Sequence, residues 1–134
     1  MHLILRDADG NIKDERKVFN TVTTAGKNGA ADQVLLSPTL SKPTHMAIGT
    51  GSPAATLLGT EIDRNALTSK TRSGAVVTMV GDWAAGDGTG AITEAGIFDI
   101  VTANTVNMWT SASFSVINKG ASDTLSISWT LTFA

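Results

Sequence analysis

Two histidines, twelve carboxylates and no cysteine bound the chemistry open to this chain of 134 residues. Thiol catalysis and cysteine-ligated zinc are excluded. A Ser-His-Asp arrangement needs its members to meet only in space, so His2 and His45 are the residues to weigh. No Gly-x-Ser-x-Gly elbow accompanies them, and His45 opens a strand, which favours an ordinary strand-edge role. Asp7-x-Asp9-Gly-Asn11 alternates three oxygen side chains, as a calcium loop does. That loop would then require glycine at position 12 and glutamate at position 18, where Ile12 and Val18 stand. A hairpin turn closed by Asp and Asn is the better reading. Gly26-Lys27 and Gly49-Thr-Gly51 match fragments of phosphate loops without their spacing. Glu61 with Asp63, and Asp82 with Asp87, could be paired carboxylates, but isolated loop charges are usually solvated. Trp83, Trp109 and Trp129 could line a sugar-binding surface. Their alternating settings favour a core, with Trp83 the exception because a turn follows it. The absence of tyrosine counts further against a recognition surface. No catalytic, cofactor-binding or metal site is expected, and the chain reads as a non-enzyme.

The elements that would position these residues are mostly strands. From Thr124 onward, Leu125, Ile127, Trp129, Leu131 and Phe133 alternate with Thr and Ser without a miss. Successive side chains of a strand face opposite ways, so the segment has one apolar face, the expected core anchors, and one hydroxyl face. That hydroxyl face carries no charge, whereas exposed edges usually hold Lys or Pro. Cover by the rest of the chain or by a neighbour is therefore expected. Residues 1–23 predict an N-terminal hairpin and possible interaction arm, with strands at His2–Arg6 and Ile12–Thr23. Residues 24–36 predict a short helix capped by Thr24, with Ala30, Ala31, Val34 and Leu35 on one face; Gly26 and Gly29 weaken it. Residues 44–133 predict the main β-sandwich. Within it, Glu61–Leu67 is a helical turn or irregular connection, and Gly96 a bulge or close approach. Met108, Phe114 and Val116 share a face, and Ile117–Ser122 is a turn. Seven or eight strands with at most one or two short helices predict a mainly β, single antiparallel β-sandwich or jelly-roll-like domain.

The length suits one domain with its own core. Residues 1–72 hold nine Lys/Arg against seven Asp/Glu, and residues 73–134 one Lys against five acids. No clustered basic face for nucleic acid follows from that, and no apolar run approaches a membrane span. A soluble chain without an export signal of its own is expected, with no nucleic-acid or membrane partner.

Four stretches carry a resemblance: His45-Met-Ala-Ile-Gly-Thr-Gly51, Leu58-Gly-Thr-Glu-Ile-Asp-Arg64, Gly90-Ala-Ile-Thr-Glu-Ala-Gly-Ile-Phe-Asp99, and Ile117 through Phe133. In this order the chain resembles a group of small tailed-bacteriophage virion structural proteins, variously tail-fibre, baseplate or head-decoration components. The resemblance implies a virion part and transfers no catalytic residue. The leading expectation is a capsid cement or decoration protein. It would contact the major capsid protein and copies of itself, as a dimer or trimer, on the capsid exterior after assembly in the host cytoplasm. A tail-fibre or baseplate adaptor is the alternative, and a carbohydrate-binding domain using Trp83 a third. The expected subunit or capsid interface comprises His2, Leu3, Leu5, Asp7, Asp9, Trp83 and Asp87.

Overall fold

Alternation between apolar and hydroxyl residues makes Thr124–Thr132 a strand, and its neighbours explain why it needs no protective charge. The computed structural model describes residues 1–133. In it, this strand (β10) is the middle one of five in an antiparallel sheet. Strand β1 (His2–Arg6) pairs one side of it and β7 (Val76–Trp83) the other. Strands β2 (Ile12–Lys17) and β6 (Ser69–Ser73) form the two edges. The second antiparallel sheet runs β3 (Thr21–Val22), β9 (Met108–Lys119), β8 (Gly90–Phe98), β4 (His45–Gly49), β5 (Glu61–Ala66). The expected β-sandwich-like domain is therefore present, with ten strands among the described residues rather than seven or eight.

The core lies between the sheets. Leu3, Leu5, Met79, Trp83, Leu125, Ile127 and Trp129 face Met46, Ile48, Ile92, Ile97, Trp109 and Ile117 across it. Leu125, Ile127 and Trp129 are buried as expected. Leu131 is only half-buried and Phe133 is 54% exposed, so the apolar face of β10 outruns the layer opposite it. The second sheet carries a smaller core on its other side, where Leu58 packs with Ala47, Phe98 and Met108.

Several local expectations change. The hairpin holds over β1 and β2, but 12–23 is two strands in two sheets. After Lys17 the chain crosses over through Val18, Phe19 and Asn20, and the Asn20 amide donates to Thr110 Oγ1 at 3.1 Å. The helix α1 spans Thr24–Asp32, four residues shorter at its end than 24–36, and its cap is Thr23. The Asp32 carboxylate accepts the Thr39 and Leu40 amides, each at 2.8 Å, holding the returning loop against the helix end. Val34 and Leu35 then project outward, 86% and 59% exposed. Gly26 and Gly29 are the reason the helix docks. Their Cα atoms lie on Trp109, and a Cβ at either would enter its backbone or its ring. A propensity loss of about 1 kcal/mol per glycine is offset by that close packing.

Glu61–Ala66 is a strand and not a helical turn. In register, Gly49 pairs with Glu61 and Ile48 with Asp63, so β5 has an extra residue there. Residues three apart on a regular strand face opposite ways; the bulge brings Glu61 and Arg64 to one side, and their spacing only looks helical. Strand β9 also departs from its pattern. Ile92 pairs with Ile117 but Glu94 with Ser113, so Phe114–Val116 bulge from the ladder. The face predicted for Met108, Phe114 and Val116 is broken: Met108 is buried and Val116 is 44% exposed. The same bulge continues the strand through Ile117–Lys119, where a turn was expected. Gly96 is a close approach, packed against Met108 and Phe98.

Candidate functional site

Three of the four stretches that carry the resemblance, 45–51, 58–64 and 90–99, converge on one buried carboxylate. From Glu94 on, strand β8 alternates Ala95 and Ile97 into the sandwich core with Glu94, Gly96 and Phe98 to the other side, and the register shift between Ile92 and Glu94 lets Ile92 face the core as well. Glu94 is 0% exposed there. Its Oε1 accepts the Gly51 amide at 3.0 Å and the Thr60 amide at 2.8 Å, and its Oε2 accepts the Gly59 amide at 2.8 Å. Thr93 adds a bond to the Gly51 carbonyl at 2.7 Å. Glycine at position 49 leaves the space the carboxylate occupies, since a Cβ there would overlap Glu94 Oε1. The side chain therefore ties both ends of the 50–60 loop to the sheet, and Leu58 is buried beneath that loop. A fully buried carboxylate holding three fixed N–H donors is a structural staple, shielded from solvent and from any substrate.

A second buried pair stands beside it. Arg64 Nε and Nη2 grip the Glu61 carboxylate at 2.8 and 2.7 Å, both side chains being at most 2% exposed. The guanidinium lies over the Phe98 ring at 3.7 Å and donates to the Ile100 carbonyl, while Glu61 accepts the Asn104 amide. Asn104 has φ of 55°, a left-handed position that Asn tolerates. The pair thus fixes the 99–107 loop. Replacing Arg64 by alanine leaves a buried carboxylate with the Asn104 amide still attached. The expected loss is about 3 kcal/mol in denaturant unfolding, the low end for a broken buried pair. Arg64→Lys, lacking the planar fork, is expected to recover only part of it.

The expected interface residues divide. Leu3, Leu5 and Trp83 are 0–2% exposed, so they belong to the core and offer nothing to a neighbour. Trp83 is not the exposed tryptophan, because the turn after it folds back and places Gly88 beside its ring. No ring face is left for a sugar. His2 is half-buried, its Nε2 lying 2.7 Å from Glu15 Oε1. Asp7 closes the β1–β2 turn, Oδ1 accepting the Asp9 and Asn11 amides and Oδ2 the Asn11 side chain. Asp9 and Asp87 are exposed. Arg6, Asp82, Trp83 and Asp87 line a shallow depression of about 320 Å³ at that end of the sandwich. His45 bonds the neighbouring Thr44 hydroxyl at 2.8 Å, and burial, then Arg64, hold its pKa below the ordinary histidine value. Asp63 does not pair with Glu61, whose carboxylate is held by Arg64.

Two charges that reading by type missed sit at the same end. Lys119 is 2% exposed and donates to the Ala84 carbonyl at 3.0 Å; burial lowers its pKa. Asp123 accepts Lys13 Nζ at 2.6 Å and the Gly120 amide at 2.7 Å, which together hold its carboxyl below the usual range. A depressed folded value contributes stability above the ordinary carboxylate pKa, and that contribution is lost as pH falls through the folded value. Asp123→Asn is therefore expected to be less stable than the parent at pH 7, the gap narrowing towards pH 3. Thermal unfolding across that range checks it.

No protein family, no curated protein and no solved structure matches the chain. Function therefore has to be read from the molecule's own surfaces. Among the described residues no cluster of three metal-ligating side chains occurs, and no helix is long and apolar enough to cross a membrane.

The remaining feature is the opposite end, where the sandwich is open. Beyond Trp129 the two sheets part, leaving a groove of about 680 Å³ lined by Val22, Ala30, Trp109, Leu131 and Phe133, with Lys27 at its side. A second lobe of about 220 Å³ shares Ala30, Trp109, Leu131 and Phe133, and reaches Val77, Met79, Lys42 and Lys70. Around this end Phe19, Val34 and Leu36 are 98, 86 and 106% exposed.

Proposed function

We propose that the chain is a non-enzymatic structural component of a tailed-phage virion, a cement protein that binds the major capsid lattice and stabilises it. One observation carries the reading: the sandwich is open beyond Trp129, with Phe133 54% exposed on an apolar groove, and Phe19, Val34, Leu35 and Leu36 are among the most exposed apolar side chains of the chain. Soluble monomers seldom expose such a collection of large apolar side chains, and subunits of assemblies do so where a neighbour covers them. The resemblance of residues 45–51, 58–64, 90–99 and 117–133 to virion proteins supports the same reading. The first three of those stretches build the Glu94 and Arg64 staples, which suit a rigid small part better than a reaction site. Copies of this chain and capsid subunits are the partners, and many modest contacts repeated over a lattice give avidity without one tight site. Counting copies in purified particles by quantitative mass spectrometry tests the proposal. Copy numbers matching the capsid lattice are expected. A number matching the few-fold symmetry of a tail would overturn cement in favour of a fibre or baseplate part, and absence from particles would overturn both.

A further inference from the structure

We propose that the two-lobed groove at the open end docks an extended protein segment in which two apolar side chains are flanked on both sides by carboxylates. The groove exists because the apolar face of β10 runs past its opposite layer, leaving Leu131 half-buried and Phe133 exposed. Helix α1 stops at Asp32 and the two residues that could have roofed them, Val34 and Leu35, point away. The walls are apolar: Trp109, Leu131 and Phe133 are common to both lobes.

Charge identifies the occupant. The only charged residues lining the lobes are Lys27, Lys42 and Lys70, all exposed, with no Asp or Glu among them. None of the three is ion-paired among the described residues. Lys70 donates to the Pro43 carbonyl at 2.7 Å, which holds its ammonium group near the second lobe. Asp32, at the end of α1, lines neither lobe, and its carboxylate is turned to the Thr39 and Leu40 amides. Lys27 lies on one lobe, and Lys42 and Lys70 on the other, so the complement is negative at both ends with apolar groups between. A fatty acid or a lipid has one charged head and does not meet that pattern. An extended peptide does, because alternate side chains on one face are about 6–7 Å apart and can enter adjacent lobes. This inference reads the groove alone and stands whatever assembly the chain belongs to. The copy-number experiment tests the virion role, so either can fail without the other.

The test uses the full chain and two fluorescein-labelled peptides, Glu-Asp-Phe-Thr-Leu-Asp-Glu and the same peptide with lysine in place of every acid, in fluorescence anisotropy. The acidic peptide is expected to bind at least about tenfold more tightly at low salt, and to weaken as salt approaches about 0.5 M. The variant with Lys27→Glu, Lys42→Glu and Lys70→Glu, folded by circular dichroism because all three side chains are exposed, is expected to reverse the preference. Equal binding of the two peptides, no binding of either, or an unchanged preference in the triple variant overturns the proposal. So does concentration-dependent self-association that the triple variant abolishes, which would assign the groove to a second copy of the chain.

Discussion

Glu94→Ala is expected to remove about 4–6 kcal/mol of stability, a large part of what a domain of this size possesses. Three backbone donors, on Gly51, Gly59 and Thr60, end on that one carboxylate. Hydrogen bonds to a charged acceptor contribute about 1.5–3 kcal/mol each, and water entering the loosened loop offsets part of the loss. Glu94→Gln separates shape from charge. It keeps an oxygen for Gly51 and Thr60 but turns an amide NH₂ towards the Gly59 N–H, for an expected loss of about 2–3 kcal/mol. Denaturant unfolding measures both. Hydrogen exchange locates the effect: protection should fall first at residues 51, 59 and 60, while β10 amides exchange only through global opening. If Glu94→Ala unfolds at the parent's denaturant midpoint, the 50–60 loop is held by something other than this carboxylate.

Trp129→Ala is expected to cost about 5 kcal/mol, the upper end for removing a buried aromatic ring, and to leave too little stability for a folded protein at 37 °C. Trp129 is 0% exposed, on the middle strand, opposite Met79 on β7. Neighbours on both sides are fixed by sheet hydrogen bonds, so the cavity cannot collapse. Its indole N–H has no hydrogen-bond partner. Trp129→Phe removes that unpaired donor along with part of the ring, and a loss of only about 1–2 kcal/mol is expected. A Trp129→Ala protein with the parent's Tm and a single cooperative transition would place β10 outside the centre of the core.

These two residues also mark what the sequence made legible. The face of Trp129 is written in its own strand, because alternation of apolar and hydroxyl residues specifies which side is buried. The pattern does not say how far the opposing layer extends, and so Leu131 and Phe133 were expected inside. Glu94 is unreadable by type, since a buried glutamate and a solvated one are the same letter. What distinguishes it is three amides contributed 34 to 43 residues away. The resemblance marked Thr93–Gly96, Gly49–Gly51 and Gly59-Thr60 separately, and only the fold joins them. Strand β5 was missed because its pairing is decided by β4, and its Glu61–Arg64 spacing has a helical look. Gly26 and Gly29 were weighed by intrinsic preference, whereas Trp109 decides their role. The groove leaves almost no local signal, because it is made by where α1 stops and β3 is short.

The pairing of β1 with β10 has a consequence for how the chain is made. Strand β1 is made before the other described strands, and one of its two partners in the sheet, β10, is the latest of them; the Lys13–Asp123 bond spans 110 residues. Until residues 124–132 emerge, β1 and β2 have only each other, and β7 and β6 only each other, as two detached hairpins with Leu3, Leu5 and Met79 uncovered. The β4, β5, β8 and β9 set can assemble earlier, since all four strands are made by residue 119: β4–β5 and β8–β9 are consecutive pairs, and β4–β8 joins them across β5–β7. Folding of the first sheet is thus gated by the emergence of β10, with a high contact order and slow closure. Truncation within β10 would release not a shortened sandwich but a half-built one, with sticky hairpins and an exposed second sheet.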